Sequence, residues 1–269
     1  MRRLLVSTVC AFAVLAGAPG AVLAQEGAAP AAEVQSEDAR LAAFFEEAFQ
    51  EQIALSPQTM TALGIKRDYD RLNDTTDAAA ERALALSESQ LARMKAEFDP
   101  AMLSADSRMS MRLFEYGVEQ ARLQNRWRDW GYQFAANGNP TTGLPVFMIN
   151  NHRVDSVEDA GAYVSRLKDA ERVMHEIAAE LRQRAAAGLI SPHFVFEPSI
   201  ANTRNIITGA PFDGGADNPV WADFQKKVGA LEADEATKAR LLAEGRAALT
   251  GEWKRGYEHV LEALAEVQA

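Results

Sequence analysis

Cysteine is almost absent from this chain, which has 269 residues and a single cysteine, Cys10. We expect Cys10 to be removed with an amino-terminal signal, and this excludes disulfide frameworks and cysteine-based metal sites from the mature chain. Basic residues are also scarce, because 28 Lys and Arg face 38 Asp and Glu. The net charge of −10 is opposite in sign to that of a nucleic-acid-binding surface, so nucleic acid is not an expected partner.

The sequence also lacks an apolar run long enough to span a membrane, which takes about 20 residues. The apolar run at residues 4–16 is shorter, follows Arg2 and Arg3, and precedes breakers at Gly17 and Pro19. This order is typical of a bacterial secretory signal peptide covering residues 1–24.

We predict cleavage of this signal between Ala24 and Gln25, which places the protein in the periplasm or outside the cell with no remaining membrane attachment. The alternative is a lipoprotein anchored through Cys10, which we disfavour because too few residues precede it for a complete signal. Residues 25–36 are rich in Ala, with one Pro and one Gly, and predict a flexible lead-in. Residues 37–269 then form the predicted helical domain.

Apolar residues recur at helical spacing through most of this domain, and no strand-like alternation persists. The pattern predicts an all-α fold, an irregular multi-helix bundle with long amphipathic helices and Gly/Pro-rich loops. The clearest helix begins at the Ser156-x-x-Asp159 start signal and stops at Gly188. Its inward seam is predicted to contain the following residues: Ala160, Val164, Leu167, Met174, Ala178, Leu181 and Ala185.

Four other segments carry specific predictions. A helix starting at Ser104 is predicted to turn Met109, Leu113 and Tyr116 inward, and residues 135–145 are predicted to form a long loop. Residues 189–198 are predicted to be extended or irregular. The tract from Asp234 to the end is predicted to be helical, although Gly245, Gly251 and Gly256 should weaken it by about 1 kcal/mol each relative to Ala.

Histidines are the first candidates for chemistry. His175-Glu176 begins like a zinc-binding H-E-x-x-H helix, but the position of the second histidine holds Ala179. Glu171 shares a face with His175, yet two ligands from one helix rarely suffice, so we reject a metal site within this helix. The remaining histidines, His152, His193 and His259, lie in separate segments, could meet only through folding, and are interpreted as structural.

Arg122, Arg126 and Arg128 lie near Trp127 and Trp130 and could bind an anionic or aromatic ligand, although a solvated helix end is the favoured interpretation. The Gly-rich segments lack the Gly-Lys-Ser/Thr ending of a phosphate-binding loop, and no Gly-x-Ser-x-Gly elbow occurs. The residues alone therefore predict no catalytic, cofactor-binding or metal-binding residue.

Several short stretches, in order and spacing, resemble the bacterial family called domain of unknown function 885. The resembling stretches are Leu55-Ser56-Pro57, Ala62-Leu63-Gly64, Gly143-Leu144-Pro145, His152 with Ser156-Val157-Glu158-Asp159-Ala160, Tyr163-Val164-Ser165-Arg166-Leu167, and Gly188 with Ser191-Pro192.

The resemblance implies a largely helical protein related to zinc-dependent peptidases whose chains are about twice this length. The family's zinc motif, H-E-x-x-P-G-H, and its G-E-G-W-A-L-Y stretch belong to a C-terminal half, and neither occurs here. Gly251-Glu252-Trp253 lacks the second glycine and the Ala-Leu-Tyr ending, so no family site residue is carried over to it. The resemblance thus implies the N-terminal half of such a fold, with zinc expected only in the other half.

Two functions remain open from the sequence. The chain either forms one wall of a peptide-binding cleft, with a separate C-terminal half as partner, or is a free-standing, non-catalytic binding or interaction protein. We expect the mature chain to bind zinc weakly or not at all. We also expect an exposed apolar surface on the last helical tract that mediates self-association or is buried by a dedicated partner, unless the tract folds back on the preceding helices. That surface would consist of Trp253, Tyr257, Val260, Leu264 and Val267.

Overall fold

The structure, a computed structural model, describes residues 36–269. The predicted signal peptide, its cleavage site at Ala24 and Gln25, and residues 25–35 of the predicted lead-in lie outside this range. Within it, the only β-type pairings are isolated bridges, Ala135 with Gly138 and Ala210 with Asp217. The prediction of an all-α fold is confirmed. No helix in residues 36–269 combines the length and apolarity needed to cross a membrane.

Most of the longer helices begin at a side chain that accepts a hydrogen bond from the free N–H groups of the first turn. Ser104, Ser156 and Asp234 act in this way. The helices are α1 Glu37–Ile53, α2 Pro57–Ala62, α3 Asp77–Glu97, α4 Ala105–Trp127, α5 Gly143–Asn150, α6 Val157–Ala186, α7 Phe196–Asn205, α8 Pro219–Gly229, α9 Glu235–Ala248 and α10 Lys254–Gln268.

The main core surrounds α6, which packs against α9 and α10. The predicted seam of α6 is confirmed as buried except for Ala185, which is half-buried. Two further α6 side chains, Tyr163 and Arg166, are completely buried although the predicted seam did not include them. Helix α6 is therefore covered on more than one face, which explains why a single apolar stripe underestimates its burial.

A second, smaller core holds α1, α3 and α4 together. Phe44 lies at its centre, and its ring makes edge-on contacts with Phe98 and Phe114. The buried residues of this core are Leu41, Phe44, Ala48, Leu91, Met94, Phe98, Leu103, Met111 and Val118. Helix α4 packs mainly against α3, so the opposite face of α4 is left toward solvent.

Two segments predicted to be loops contain helices. A 3₁₀ turn at Pro140–Thr142 leads into α5 within the predicted loop at residues 135–145. The predicted irregular segment at residues 189–198 contains the 3₁₀ turn His193–Val195 and the start of α7. Both helices are short, so their stability depends on tertiary contacts rather than on local sequence spacing. One such contact is the 3.1 Å hydrogen bond that the Tyr257 hydroxyl donates to the Thr141 carbonyl.

The last tract consists of α9, a π-helical turn at Leu249–Trp253, and α10. Trp253, Tyr257 and Val260 are completely buried, as is Leu264, because α10 folds back along α6. The expectation of an exposed apolar surface on this tract is therefore wrong. The fold-back alternative is the one that the structure shows.

Candidate functional site

The outward face of α4 carries a row of exposed apolar side chains, interrupted once, between Tyr116 and Leu123, by Glu119 and Gln120. The spacing of its members along the helix is three, four or seven residues, so they share one face. Trp130 and Tyr132 extend the row beyond the end of the helix, with 69% and 55% of their surface exposed. We call the following seven residues the α4 surface: Met109, Leu113, Tyr116, Leu123, Trp127, Trp130 and Tyr132.

The exposure of these side chains shows that the orientation predicted for α4 is wrong. Met109, Leu113 and Tyr116 were expected to point inward, but they are 48%, 55% and 58% exposed, while Met111 and Val118 on the other face are buried. Helix α4 has apolar residues on both faces. Periodicity locates such faces but does not tell which of them meets the core.

The arginines near Trp127 and Trp130 have different environments. Arg122 is paired with Glu88, and Arg128 lies within 3.2 Å of Asp77. Arg126 instead lies over the ring of Trp127, with its guanidinium carbon 5.2 Å from the ring centre, the geometry of a cation–π contact.

The two tryptophans of the α4 surface form one aromatic platform. The Trp127 and Trp130 rings are 6.2 Å apart in an edge-to-face arrangement. Together with Arg126, they offer exposed aromatic area beside a positive charge. Such a combination suits an apolar or aromatic group that carries a carboxylate.

A buried network involves His152 and Arg166, both from stretches that carry the family resemblance. The Arg166 side chain donates through Nε to the Arg71 carbonyl (2.9 Å) and through Nη2 to Thr61 Oγ1 (2.7 Å). Its Nη1 lies 2.9 Å from His152 Nδ1, and His152 Nε2 lies 3.1 Å from the Asp159 carbonyl. Because Arg166 has only donors, Nδ1 of His152 accepts and Nε2 carries the proton.

This network holds His152 neutral. Burial lowers the pKa of His152 to about 3, and the positive charge of Arg166 acts in the same direction. Burial also lowers the pKa of Arg166 to about 10, so Arg166 remains charged at neutral pH. Both imidazole nitrogens are engaged within the protein, so His152 joins the segment after α5 to α6 and has no nitrogen left for a ligand.

The other histidines lie at the surface. His193 is exposed in the 3₁₀ turn before α7. His175 on α6 and His259 on α10 come together, with ring centres 5.6 Å apart. Sequence reasoning did not connect them, because they lie on different helices and no local spacing relates them.

The zinc centre of the peptidases that the sequence resembles does not fit the residues present. Within residues 36–269, no group of three or more His, Cys, Asp or Glu side chains is arranged to hold a metal ion. The buried His152 is committed to Arg166. No catalytic step through zinc can be derived from these residues.

Comparisons with known proteins place the chain in a family. Residues 57–269 match the family model described as "Bacterial protein of unknown function (DUF885)". No curated protein matches the chain.

A solved structure described as the "putative lipoprotein from Colwellia psychrerythraea" is similar in fold, with a TM-score of 0.71 at 14% sequence identity. The similarity covers 87% of this chain and 42% of that one, so this chain spans less than half the length of that protein. Since the family model covers most of the sequence, the chain belongs to the DUF885 family of bacterial proteins.

Proposed function

We propose that this chain is an exported protein that binds polypeptide segments and forms one wall of a peptide-binding cleft, without catalysing a reaction by itself. Export is supported by the signal-like pattern of residues 1–24 and by the name of the similar solved structure, which calls that protein a lipoprotein. The exposed α4 surface is the observation that carries the binding role.

The composition of the α4 surface supports binding. Groups of exposed large apolar side chains on one face are uncommon on soluble proteins and often mark interaction sites. Two tryptophans and two tyrosines contribute to this one, and Trp, Tyr and Arg are the residues most enriched at the energetic centres of interfaces. The aromatic rings contribute large contact areas at a small cost in side-chain entropy.

Charge around the α4 surface indicates the class of segment it would bind. Among the described residues, Arg112 and Arg126 form no ion pair, although both lie on α4 beside the exposed row. The chain as a whole has a net charge of −10, so the two unpaired arginines give this face a positive charge that the acidic chain as a whole does not have. They favour an apolar segment that also carries carboxylates.

The length of the similar solved structure supports the idea of one wall rather than a whole cleft. More than half of that protein has no counterpart in this chain. A single wall presents its apolar area on one side only, so we expect weak binding by this chain alone, with a Kd of about 0.1–1 mM, roughly 4–5.5 kcal/mol. A second polypeptide would supply the opposite wall.

Intrinsic fluorescence provides a direct test. Trp127 and Trp130 are exposed, whereas Trp221 and Trp253 are 3% and 0% exposed, so a ligand on α4 should change the emission of the exposed pair. We expect a saturable blue shift when the mature chain is titrated with a tryptophan-free peptide of leucine and glutamate. The same peptide with lysine in place of glutamate should bind more weakly.

A matched pair of variants locates the binding surface in that titration. The double variant Trp127→Phe, Trp130→Ala removes much of the platform together with the two reporting fluorophores, so its affinity is measured by calorimetry and should be several-fold lower. Leu123→Ser removes apolar area while leaving all four tryptophans. We expect Leu123→Ser to weaken binding several-fold. Val146→Ala, at an equally exposed apolar position on α5, should not change it. No saturable shift in the wild type, or full affinity in both α4 variants, would refute the proposal.

The free-standing alternative is favoured by one specific observation, the complete burial of Trp253, Tyr257, Val260 and Leu264 in the last tract. A chain that covers its own core in this way needs no second polypeptide to do so. The same titration separates the two functions. Binding by the chain alone with a micromolar or better Kd would favour a free-standing binding protein, while weak binding strengthened by a second polypeptide would favour the shared cleft.

A further inference from the structure

His175 and His259 lie side by side on the surface where α10 crosses α6. Their ring centres are 5.6 Å apart and their ring planes are inclined by 86°. His175 is exposed and the side chain of His259 is 41% exposed. Both imidazoles border one shallow depression that also includes Glu171.

This spacing fits two imidazoles that share a metal ion. Metal–nitrogen bonds to histidine are about 2.0–2.1 Å long, so two rings at a tetrahedral angle have their centres about 5 Å apart. The observed separation is close to this value. A small rotation of exposed side chains would be enough to direct one nitrogen of each ring toward a common point.

The backbone beneath the two histidines holds them in place. A Cβ atom at Gly256, three residues before His259, would lie 2.9 Å from the Cα of Glu171, which is four residues before His175. The two helices are therefore in direct backbone contact one turn from the pair. Such contact fixes the separation of the histidines before any ligand binds, which lowers the cost of binding.

The arginines around the depression are paired with carboxylates, and Lys168 is the one cation of its lining that forms no ion pair among the described residues. Arg172 is neutralised by Asp169 and Glu176, and Arg255 makes two hydrogen bonds to Glu171, of 3.0 and 2.9 Å. The Arg255 bonds hold the pKa of Glu171 below its ordinary value, with smaller contributions from His259 and His175. Glu171 thus remains a carboxylate close to both imidazoles.

A carboxylate also lies behind one of the rings. Glu262 Oε2 is 3.7 Å from His259 Nδ1, one helical turn along α10. This separation is longer than a hydrogen bond, but a small rotation would bring His259 Nδ1 into one with Glu262. Such a bond would leave His259 Nε2 for a metal.

We propose that His175 and His259 bind one divalent transition-metal ion of the class that prefers imidazole, such as Ni²⁺, Zn²⁺ or Cu²⁺, and that water completes the coordination. Only two protein ligands are ready, so binding is weaker than at a closed zinc site with four. This agrees with the expectation of weak zinc binding from sequence. The ion would join α10 to α6 and stabilise the native state.

Calorimetric titration of the untagged mature chain with NiCl₂, after chelator treatment and dialysis into a non-coordinating buffer, tests this site. We expect one ion per chain and a higher melting temperature with the ion than without it.

Histidine variants assign the site. His175→Ala and His259→Ala should each lower the affinity at least tenfold while leaving the melting temperature without metal unchanged, because both side chains are at the surface. His193→Ala removes an exposed histidine elsewhere and should bind Ni²⁺ like the wild type. No saturable binding by the wild type, or undiminished binding in either His175→Ala or His259→Ala, would overturn the proposal.

Discussion

Gly256 lies at the point where α10 touches α6, and no larger residue fits there without a shift. Its added Cβ would be 2.9 Å from the Glu171 Cα and 3.1 Å from the Met174 Cβ. Gly245 has a similar role, since a Cβ there would be 2.2 Å from the Phe224 ring. From sequence these glycines were interpreted only as weak points in a helix. The interpretation was incomplete because the reason for each glycine lies on another helix.

Gly256→Ala should therefore destabilise the protein by about 1–3 kcal/mol, because the cost of overpacking exceeds the gain in helix propensity. Gly251→Ala is the matched control, since its added Cβ would meet only the end of the Arg255 side chain at 3.6 Å. Urea unfolding of both variants measures the difference. Equal stabilities would show that the backbones of α6 and α10 are not in contact.

The buried His152 makes stability depend on pH. Its pKa is lowered to about 3 in the folded state, against about 6.5 when unfolded, so the unfolded chain binds a proton that the native protein does not. The stability due to neutral His152 is complete above pH 6.5 and is lost as the pH falls from 6.5 toward 3. Between pH 7.5 and 5.5 we expect the free energy of unfolding to fall by about 1.4 kcal/mol.

The variant His152→Gln removes this titration. Its free energy of unfolding should change less over the same pH interval than that of the wild type, whatever its stability at pH 7.5. The comparison requires urea unfolding curves of both proteins at the two pH values. Parallel pH dependence in both would indicate that His152 titrates normally in the native state.

At the scale of a single element, the sequence pattern predicts where α4 starts but not which of its faces is buried. Its start at Ser104 was predictable, because the Ser104 side chain accepts a hydrogen bond from the N–H of Ser107. Its orientation was not, because Met109 and Met111 belong to two apolar faces of comparable strength. The side chains of α3 and α1, among them Met94 and Phe44, decide which face is covered.

The two methionines offer a matched pair for testing this orientation. Met111 is 8% exposed and Met109 is 48% exposed, on opposite faces of the same helix. Met111→Ala should cost about 2–3 kcal/mol because it opens a cavity in the small core, whereas Met109→Ala should cost less than about 0.5 kcal/mol. Thermal unfolding of the two variants checks the assignment, and a reversed order would place the α4 surface inside.

Across the whole molecule, the features that the sequence did not predict depend on contacts between residues far apart in the chain. Local spacing and capping predict the all-α class and the buried seam of α6, and both predictions are confirmed. The burial of α10 depends on α6, which lies about 80 residues earlier, as the bond from Arg255 to Glu171 illustrates. The proximity of His175 and His259 arises from the same packing. An amphipathic pattern alone shows that a helix has an apolar face but not what covers it.

In the whole chain, the last tract closes the main core, while α4 leaves exposed the aromatic surface at which we propose that peptides bind. The four tryptophans report on both parts, since Trp253 lies in the last tract, Trp221 in α8, and Trp127 and Trp130 on the α4 surface. The most direct measurement is ¹⁹F NMR of the mature chain labelled with 5-fluorotryptophan, with resonances assigned by single Trp→Phe variants. A soluble paramagnetic agent should broaden the resonances of Trp127 and Trp130 and leave those of Trp221 and Trp253 sharp, and the leucine–glutamate peptide should shift only the first pair. Broadening of Trp253, or protection of both Trp127 and Trp130 in the free protein, would contradict the account.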